Sequence, residues 1–344
     1  MRHVMYLAVL AGCSGNLPAA SFIDKLRVLA VQTEPPEVAP FETSALSALV
    51  VEPPVQQLDG GPPSPVSYLW TACKIPLGAS ALTPCGLGTD ALSAGLPPSC
   101  AAQPGADLCV IGTDPTASFA PSDAAVGSDG TGQWLISLTV SDTAGGAVGC
   151  LMDAFANQGQ VQSPDHCVLA LKRLAISVPG HHLSDGSAAP APNRNPLLTG
   201  FTLDQPDASS ASLLDDSAVF ATQPTSNPKA FALHATRSDD SAEVYPVFDN
   251  AGHRSDVYEA LALSWFITAG KLAAGRGAYN PASCATQADC PTLLPVTEAH
   301  VDWTPPTDAE LAGHSTDGSV LIWAVLRDDR GGVTWRAGHA RRAR

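Results

Sequence analysis

The residues of this 344-residue chain best suited to chemistry are its nine cysteines: Cys13, Cys73, Cys85, Cys100, Cys109, Cys150, Cys167, Cys284 and Cys290. A thiolate can ligate zinc or attack a substrate, and two thiols can oxidise to a bridge. Spacing argues against zinc, because no pair reads C-x-x-C and the histidines do not fall at zinc-finger intervals. Without Cys13 the number is even, as an oxidising compartment favours, so Cys73, Cys85, Cys100, Cys109, Cys150, Cys167, Cys284 and Cys290 are expected to form disulfides. Near-neighbour pairs (Cys73 with Cys85, Cys100 with Cys109, Cys150 with Cys167, Cys284 with Cys290) are the simplest arrangement, and spacing does not choose among the alternatives.

Other groups that could carry chemistry have plainer readings. His181 and His182 sit in a Pro/Gly/Ser stretch and read as solvated, since two adjacent imidazoles need further ligands to hold a metal. Asp239-Asp240 and Asp328-Asp329 lack EF-hand spacing and read as turn residues at strand ends, with a calcium loop as the alternative. In "GHSTDG" (Gly313 to Gly318) the second glycine falls one place too late for a nucleophile elbow, and a strand follows where a helix should. No H-E-x-x-H, phosphate-cradling loop or dinucleotide fingerprint is present. The expectation is no catalytic residue, no metal and no cofactor.

Charge narrows the partners. Eighteen Lys and Arg stand against 33 Asp and Glu, a formal net charge of −15. Such a surface repels phosphate backbones and anionic lipid, and no Lys/Arg-rich stripe in the sequence compensates, so nucleic acid is excluded as a partner. The one basic cluster, Arg336 to Arg344, is short and reads as a solvated strand end.

The amino terminus carries an address. Arg2 and His3 precede an apolar run from Val4 to Leu10, then small residues and Cys13. The run is far short of the ~20 apolar residues that span a bilayer, but it suits an export signal. Leu10-Ala11-Gly12-Cys13 resembles the lipobox of bacterial lipoproteins. That resemblance implies a signal peptide over residues 1–12, acylation of Cys13 as the first mature residue, and a tether over 13–24. The membrane would then be a partner through Cys13, and the cell envelope, at the outer membrane, the location. An ordinary cleaved signal is the other reading.

The elements that must position these residues read as strands. Val66, Tyr68, Trp70 and Ala72 alternate on one face, as do Trp134, Ile136, Leu138 and Val140, then Leu261, Leu263, Trp265 and Ile267, then Val320, Ile322, Ala324 and Leu326. "AVGCLMDAFA" and "HCVLALKRLAISV" are two more strand-like runs, and Lys74 to Gln133 reads as a long loop-rich insertion holding Cys85, Cys100 and Cys109. Residues 179–196 lack large apolar side chains and read as a linker. Asp142-Thr143-Ala144-Gly145-Gly146 matches Asp328-Asp329-Arg330-Gly331-Gly332, and Trp70 matches Trp265, so the second half repeats the first. The expected fold is all-β: two tandem immunoglobulin-like antiparallel sandwiches over 25–178 and 197–344, with Trp70 and Trp265 in their cores.

The hairpin "LTVSDTAGG" also resembles the PKD-like domains of bacterial surface proteins, though Phe41 stands where such domains usually turn on glycine. "KLRVLAVQTEPPEVAP", "YLWTAC", "LSWFITAGKL", "VDWTPP" and "LIWAVLRDDRGGVTW" are similar to blocks of uncharacterised lipoproteins of the myxobacterial kind. Together these imply a non-enzymatic, lipid-anchored envelope protein that is structural or adhesive, or that binds a protein or polysaccharide partner. The rival reading is an envelope hydrolase or carbohydrate-binding accessory module with its site in the loops of Lys74 to Gln133 or Asn280 to Pro295.

Overall fold

A computed structural model of the chain describes residues 20–52, 65–75, 96–156, 165–183, 185–205, 209–222, 229–249, 252–279, 297–315 and 317–343. The alternating runs form strands. In the first half these are β1 (Arg27–Glu34), β2 (Glu37–Val38), β3 (Ser44–Val51), β4 (Ser67–Lys74), β5 (Leu108–Gly112), β6 (Ala117–Phe119), β7 (Thr131–Ser141) and β8 (Cys167–Ser177). They build two sheets, β1-β3-β6 and β2-β8-β7-β4-β5. Pro35-Pro36 explains the split. Proline cannot donate to a ladder, so β1 stops on β3 and the chain resumes in the other sheet as β2, parallel to β8. Trp70, Trp134, Ile136, Leu138 and Val140 are fully buried and pack in one cluster with Val31, Leu46 and Phe119.

In the second half the strands are β9 (Leu198–Asp204), β10 (Ser210–Ser212), β11 (Val219–Phe220), β12 (Phe231–Arg237), β13 (Val244–Phe248), β14 (Arg254–Tyr258), β15 (Leu261–Ile267), β16 (Lys271–Leu272), β17 (Arg276–Tyr279), β18 (Glu298–Thr304), β19 (Ser319–Arg327) and β20 (Val333–Arg342). One sheet runs β10-β9-β12-β18-β16, the other β11-β20-β19-β15-β17, and β13-β14 is a separate hairpin. The two five-stranded sheets that carry Trp70 and Trp265 correspond position by position: β2-β8-β7-β4-β5 matches β11-β20-β19-β15-β17, and each begins with a short strand parallel to its neighbour. Trp70 in β4 and Trp265 in β15 occupy equivalent strands, both fully buried. A buried tryptophan on that strand is a hallmark of immunoglobulin-like sandwiches, and the fold is two tandem sandwiches of this class.

One expectation needs correction. "AVGCLMDAFA" is the helix α1 (Gly146–Ala156), not a strand. Ala147, Cys150, Leu151 and Ala154 are buried and recur at the 3.6-residue period, and Ala147 and Leu151 pack on Leu69 of β4. Ser67 Oγ donates to the Ser141 carbonyl and accepts from the Ala147 N–H at 2.7 Å, satisfying a donor of the first turn. Within the loop-rich insertion after Lys74, β5 pairs with β4 and β6 with β3. Residues 21–23 lie against β15: the Ile23 N–H donates to the Ile267 carbonyl, and the Ile267 N–H to the Ser21 carbonyl, each at 2.9 Å. Pairing between β15 and β17 covers only Leu261 to Ser264, which leaves Ile267 open to this segment. A second helix, α2 (Asp308–His314), begins on a capping box between Thr307 and Glu310.

Cys100 and Cys109 are bridged with their Cα atoms 4.8 Å apart, holding the entry to β5. Cys150 and Cys167 are bridged at 5.7 Å, fastening α1 to the start of β8. Cys73 is also disulfide-bonded, while Cys13, Cys85, Cys284 and Cys290 lie outside the described residues. Disulfides mark an extracellular or envelope protein. Among the described residues no helix is long and apolar enough to cross a membrane.

Phe41, in the turn between β2 and β3, has φ of 65° and is 64% exposed. A Cβ in that region costs about 1–2 kcal/mol, whereas glycine adopts it freely and loses more entropy on folding. Phe41→Gly is therefore expected to raise stability by about 0.5–1 kcal/mol in urea denaturation. A loss would mean that the ring is held by contacts stronger than the backbone strain.

Candidate functional site at the junction of the two sandwiches

The hairpin that joins β19 to β20 builds the centre of the junction. Asp328 Oδ1 accepts the Arg330 N–H at 2.9 Å and the Gly332 N–H at 2.7 Å, a side-chain-closed turn. Gly331 has φ of 103°, and a Cβ on Gly332 would lie 2.0 Å from Asp328 Oδ2, so both glycines are demanded locally. This turn projects Arg330 toward the first sandwich. Its guanidinium reaches Glu37 at 3.1 Å, Glu259 at 3.2 Å and Glu243 at 3.4 Å, and lies 5.3 Å from the Tyr245 ring centre. Glu37 belongs to β2, and the other two carboxylates to the second sandwich.

Residues 191–195 run through this junction. The Asn193 N–H donates to Glu37 Oε2, and its Nδ2 to Asp328 Oδ1. Arg194 pairs with Glu243 at 2.6 Å. Asn195 donates to the Thr33 carbonyl and to Glu34 Oε2 while its Oδ1 accepts from the Val333 N–H, touching both sandwiches at once. Lys172 of β8 donates to the Gly331 carbonyl. Beside these polar links, Ile23, Leu29, Ala30, Leu49 and Val51 bury against Trp323, Val325 and Val333. The junction thus has an apolar part and a charged part, and it fixes the angle between the sandwiches.

The electrostatics follow from burial. Glu259 is fully buried; desolvation, then the nearby Asp328 charge, pushes its carboxyl up to about 8 against the pull of Arg330. Burial likewise raises Asp328 and pushes Lys172 down to about 8. Tyr245 is raised to about 12, first by burial and then by its hydrogen bond to Asp329. Three carboxylates share Arg330, and among the described residues only Glu243 has a second cation within 4 Å, Arg194, so a proton on Glu259 settles the excess.

Three open clefts flank the junction. One, of about 390 Å³, lies between β1, β8 and the Asp328–Gly332 turn. A second, of about 490 Å³, adjoins it along β1 and reaches Ser21 and Arg276. The third, of about 310 Å³, surrounds Asn195 and Glu243.

No protein-family model matches the sequence, and no characterised protein matches it. Solved structures that match include the fibronectin(III)-like modules of Clostridium thermocellum CbhA, at 11% identity and a TM-score of 0.20 over 91% of this chain and 95% of that one. Another is the Yersinia pseudotuberculosis adhesin InvE, at 11% identity and 0.20 over 92% and 60%. A third is the chicken CNTN1 FN1-FN3 domains, at 8% identity and 0.18 over 93% and 69%. Superpositions this loose carry no functional weight, and the fold rests on the sheet orders themselves.

The other residues singled out in the sequence are placed apart from the junction or within turns. His181 Nδ1 lies 2.8 Å from the Val178 carbonyl and His182 Nδ1 3.1 Å from the Gly186 carbonyl. Asp239 and Asp240 form a short 3-10 turn closed by Ser238. In "GHSTDG", Asp317 accepts from the Ser319 N–H and hydroxyl and so starts β19. Of the rival loops, residues 280–295 lie outside the described residues. Sequence reasoning treated Asp328 and the Arg330 turn as a hairpin and missed what they hold. It also missed a basic groove: Arg27, Lys172, Arg173, Arg276 and Arg327, far apart in sequence, line the two adjoining clefts.

Proposed function

We propose that this chain is a non-enzymatic, lipid-anchored protein of the cell envelope, held at the outer membrane by acylated Cys13. There it serves as a rigid structural or adhesive body that presents its surface to a protein or polysaccharide partner. The observation that carries the reading is the junction, where Arg330, Asn193 and Asn195 lock a disulfide-stapled first sandwich and the second sandwich into one fixed unit. A body that must transmit or resist force needs such rigidity, and its disulfides suit an oxidising compartment. The lipobox-like Leu10-Ala11-Gly12-Cys13 supplies the address. Stable anchoring then needs more than one acyl chain, because a single chain binds a bilayer only marginally.

The test is detergent phase partitioning of the full chain from its native membranes, with mass spectrometry of the residue at position 13. Wild type is expected in the detergent phase with an acylated Cys13, and Cys13→Ser in the aqueous phase. A Cys13→Ser protein that still partitions with detergent would overturn the anchor.

A further inference from the structure

The two clefts that adjoin along β1 share Val28, Leu29 and Arg327. Five of the chain's 18 basic residues line them, Arg27, Lys172, Arg173, Arg276 and Arg327, against one carboxylate, Asp328. In a protein of net charge −15 this is a strong local reversal of sign. None of the five is ion-paired to a carboxylate among the described residues, whose basic groups in ion pairs include Lys25, Lys74, Arg194, Arg254, Arg330 and Arg341. Arg27 donates only to the carbonyls of Ala20 and Phe22, and Arg327 to the Leu29 carbonyl and the Ser264 hydroxyl. Lys172 donates to the Gly331 carbonyl. Neutral acceptors therefore orient these cations without neutralising them, and the exposed Arg173 and Arg276 stand at the mouth.

The geometry points to an oxyanion site that takes the phosphate of a membrane lipid headgroup. A forked guanidinium recognises phosphate by two parallel hydrogen bonds, and the 490 Å³ cleft carries three of them. Its position names the source. Ala20 and Ser21 form part of that cleft's wall, and Cys13 is seven residues before Ala20, a reach of at most about 25 Å. If Cys13 sits in the bilayer surface, the groove is within reach of the headgroups, and the Arg327 and Lys172 charges that oppose one another gain a counter-anion. For that source the inference rests on the lipid-anchor reading above.

The full chain carrying Cys13→Ser removes any acyl contribution, so its sedimentation with vesicles reads the groove alone. Phosphatidylcholine vesicles containing phosphatidylglycerol are expected to bind it at least about 25-fold more tightly than phosphatidylcholine alone, since each basic residue near an anionic surface adds about fivefold. Adding Arg173→Gln with Arg276→Gln, both exposed, is expected to weaken that binding roughly 25-fold. Arg341→Gln with Arg342→Gln, at the far end of β20, should leave it unchanged. Equal losses in both double variants, or no preference for phosphatidylglycerol, would overturn the site. Calorimetric binding of inorganic phosphate without vesicle preference would assign the groove to a free anion and overturn the headgroup. An unacylated wild-type Cys13 with phosphatidylglycerol preference intact would sink the anchor and leave the groove standing, and the converse would sink the groove alone.

Discussion

At pH 9.5, where Glu259 is ionised, Arg330→Ala is expected to cost about 3–5 kcal/mol in urea denaturation and to free one sandwich from the other while both cores persist. The substitution deletes the only cation that Glu37 and Glu259 contact within 4 Å among the described residues, and half of the compensation at Glu243. Glu259 has no access to water in the folded chain, so at pH 9.5, above the value of about 8 to which its carboxyl is pushed, its charge would be left buried and unpaired, the condition that makes a one-sided deletion so damaging. The sandwiches themselves need not unfold, because Trp70 and Trp265 lie in separate clusters that do not include Arg330. Small-angle scattering should therefore show a larger radius of gyration before the cores melt. Adding Glu259→Gln to Arg330→Ala should recover at least half of the loss, since neutralising the stranded group removes most of its penalty. An Arg330→Ala protein within about 1 kcal/mol of wild type would show that the apolar contacts of Trp323 and Val333 hold the junction alone.

Local chemistry was legible in the sequence and the junction was not, for a physical reason. Strands with one buried face announce themselves by a period of two, so β4, β7, β15 and β19 were read with their inward residues, and the duplication followed from the matched tryptophans. The Asp328–Gly332 turn was legible as a hairpin because its demands are local: an aspartate closing the turn, a glycine at positive φ and a glycine with no room for a Cβ. α1 was misread because, among the described side chains, Ala147, Cys150, Leu151 and Ala154 carry its period in a run apolar enough to pass for a strand. Charged contacts between distant segments carry no such periodicity. Glu37, Asn193, Asn195, Glu243, Glu259 and Arg330 each look like ordinary solvated residues in their own surroundings, and composition marks residues 179–196 as a linker without showing what it touches. The basic groove escaped for the same reason, its members being scattered from Arg27 to Arg327 in an acidic chain.

Stability is expected to fall by on the order of 3 kcal/mol as pH rises from about 5 to about 8, and to recover partly above it. Glu259 carries the descending limb. Its carboxyl sits at about 8 in the folded protein but near the ordinary glutamate value once unfolded, so between those two pH values the folded state binds more protons. Raising the pH in that window therefore favours unfolding, and Asp328, also raised by burial, acts in the same direction. Lys172 carries the ascending limb. Burial lowers it to about 8, so above that pH the unfolded chain holds the extra proton and further increase favours folding. The two opposing limbs place a minimum near pH 8, well below the region where Tyr245, at about 12, enters. Urea denaturation of wild type and Glu259→Gln at pH 5, 6.5, 8 and 9.5 separates the limbs. The variant should lose most of the descent and keep the rise, because the amide takes no proton while Lys172 is untouched. Parallel curves for the two proteins would mean that Arg330 holds Glu259 ionised throughout, and that the junction is a permanent ion pair insensitive to pH.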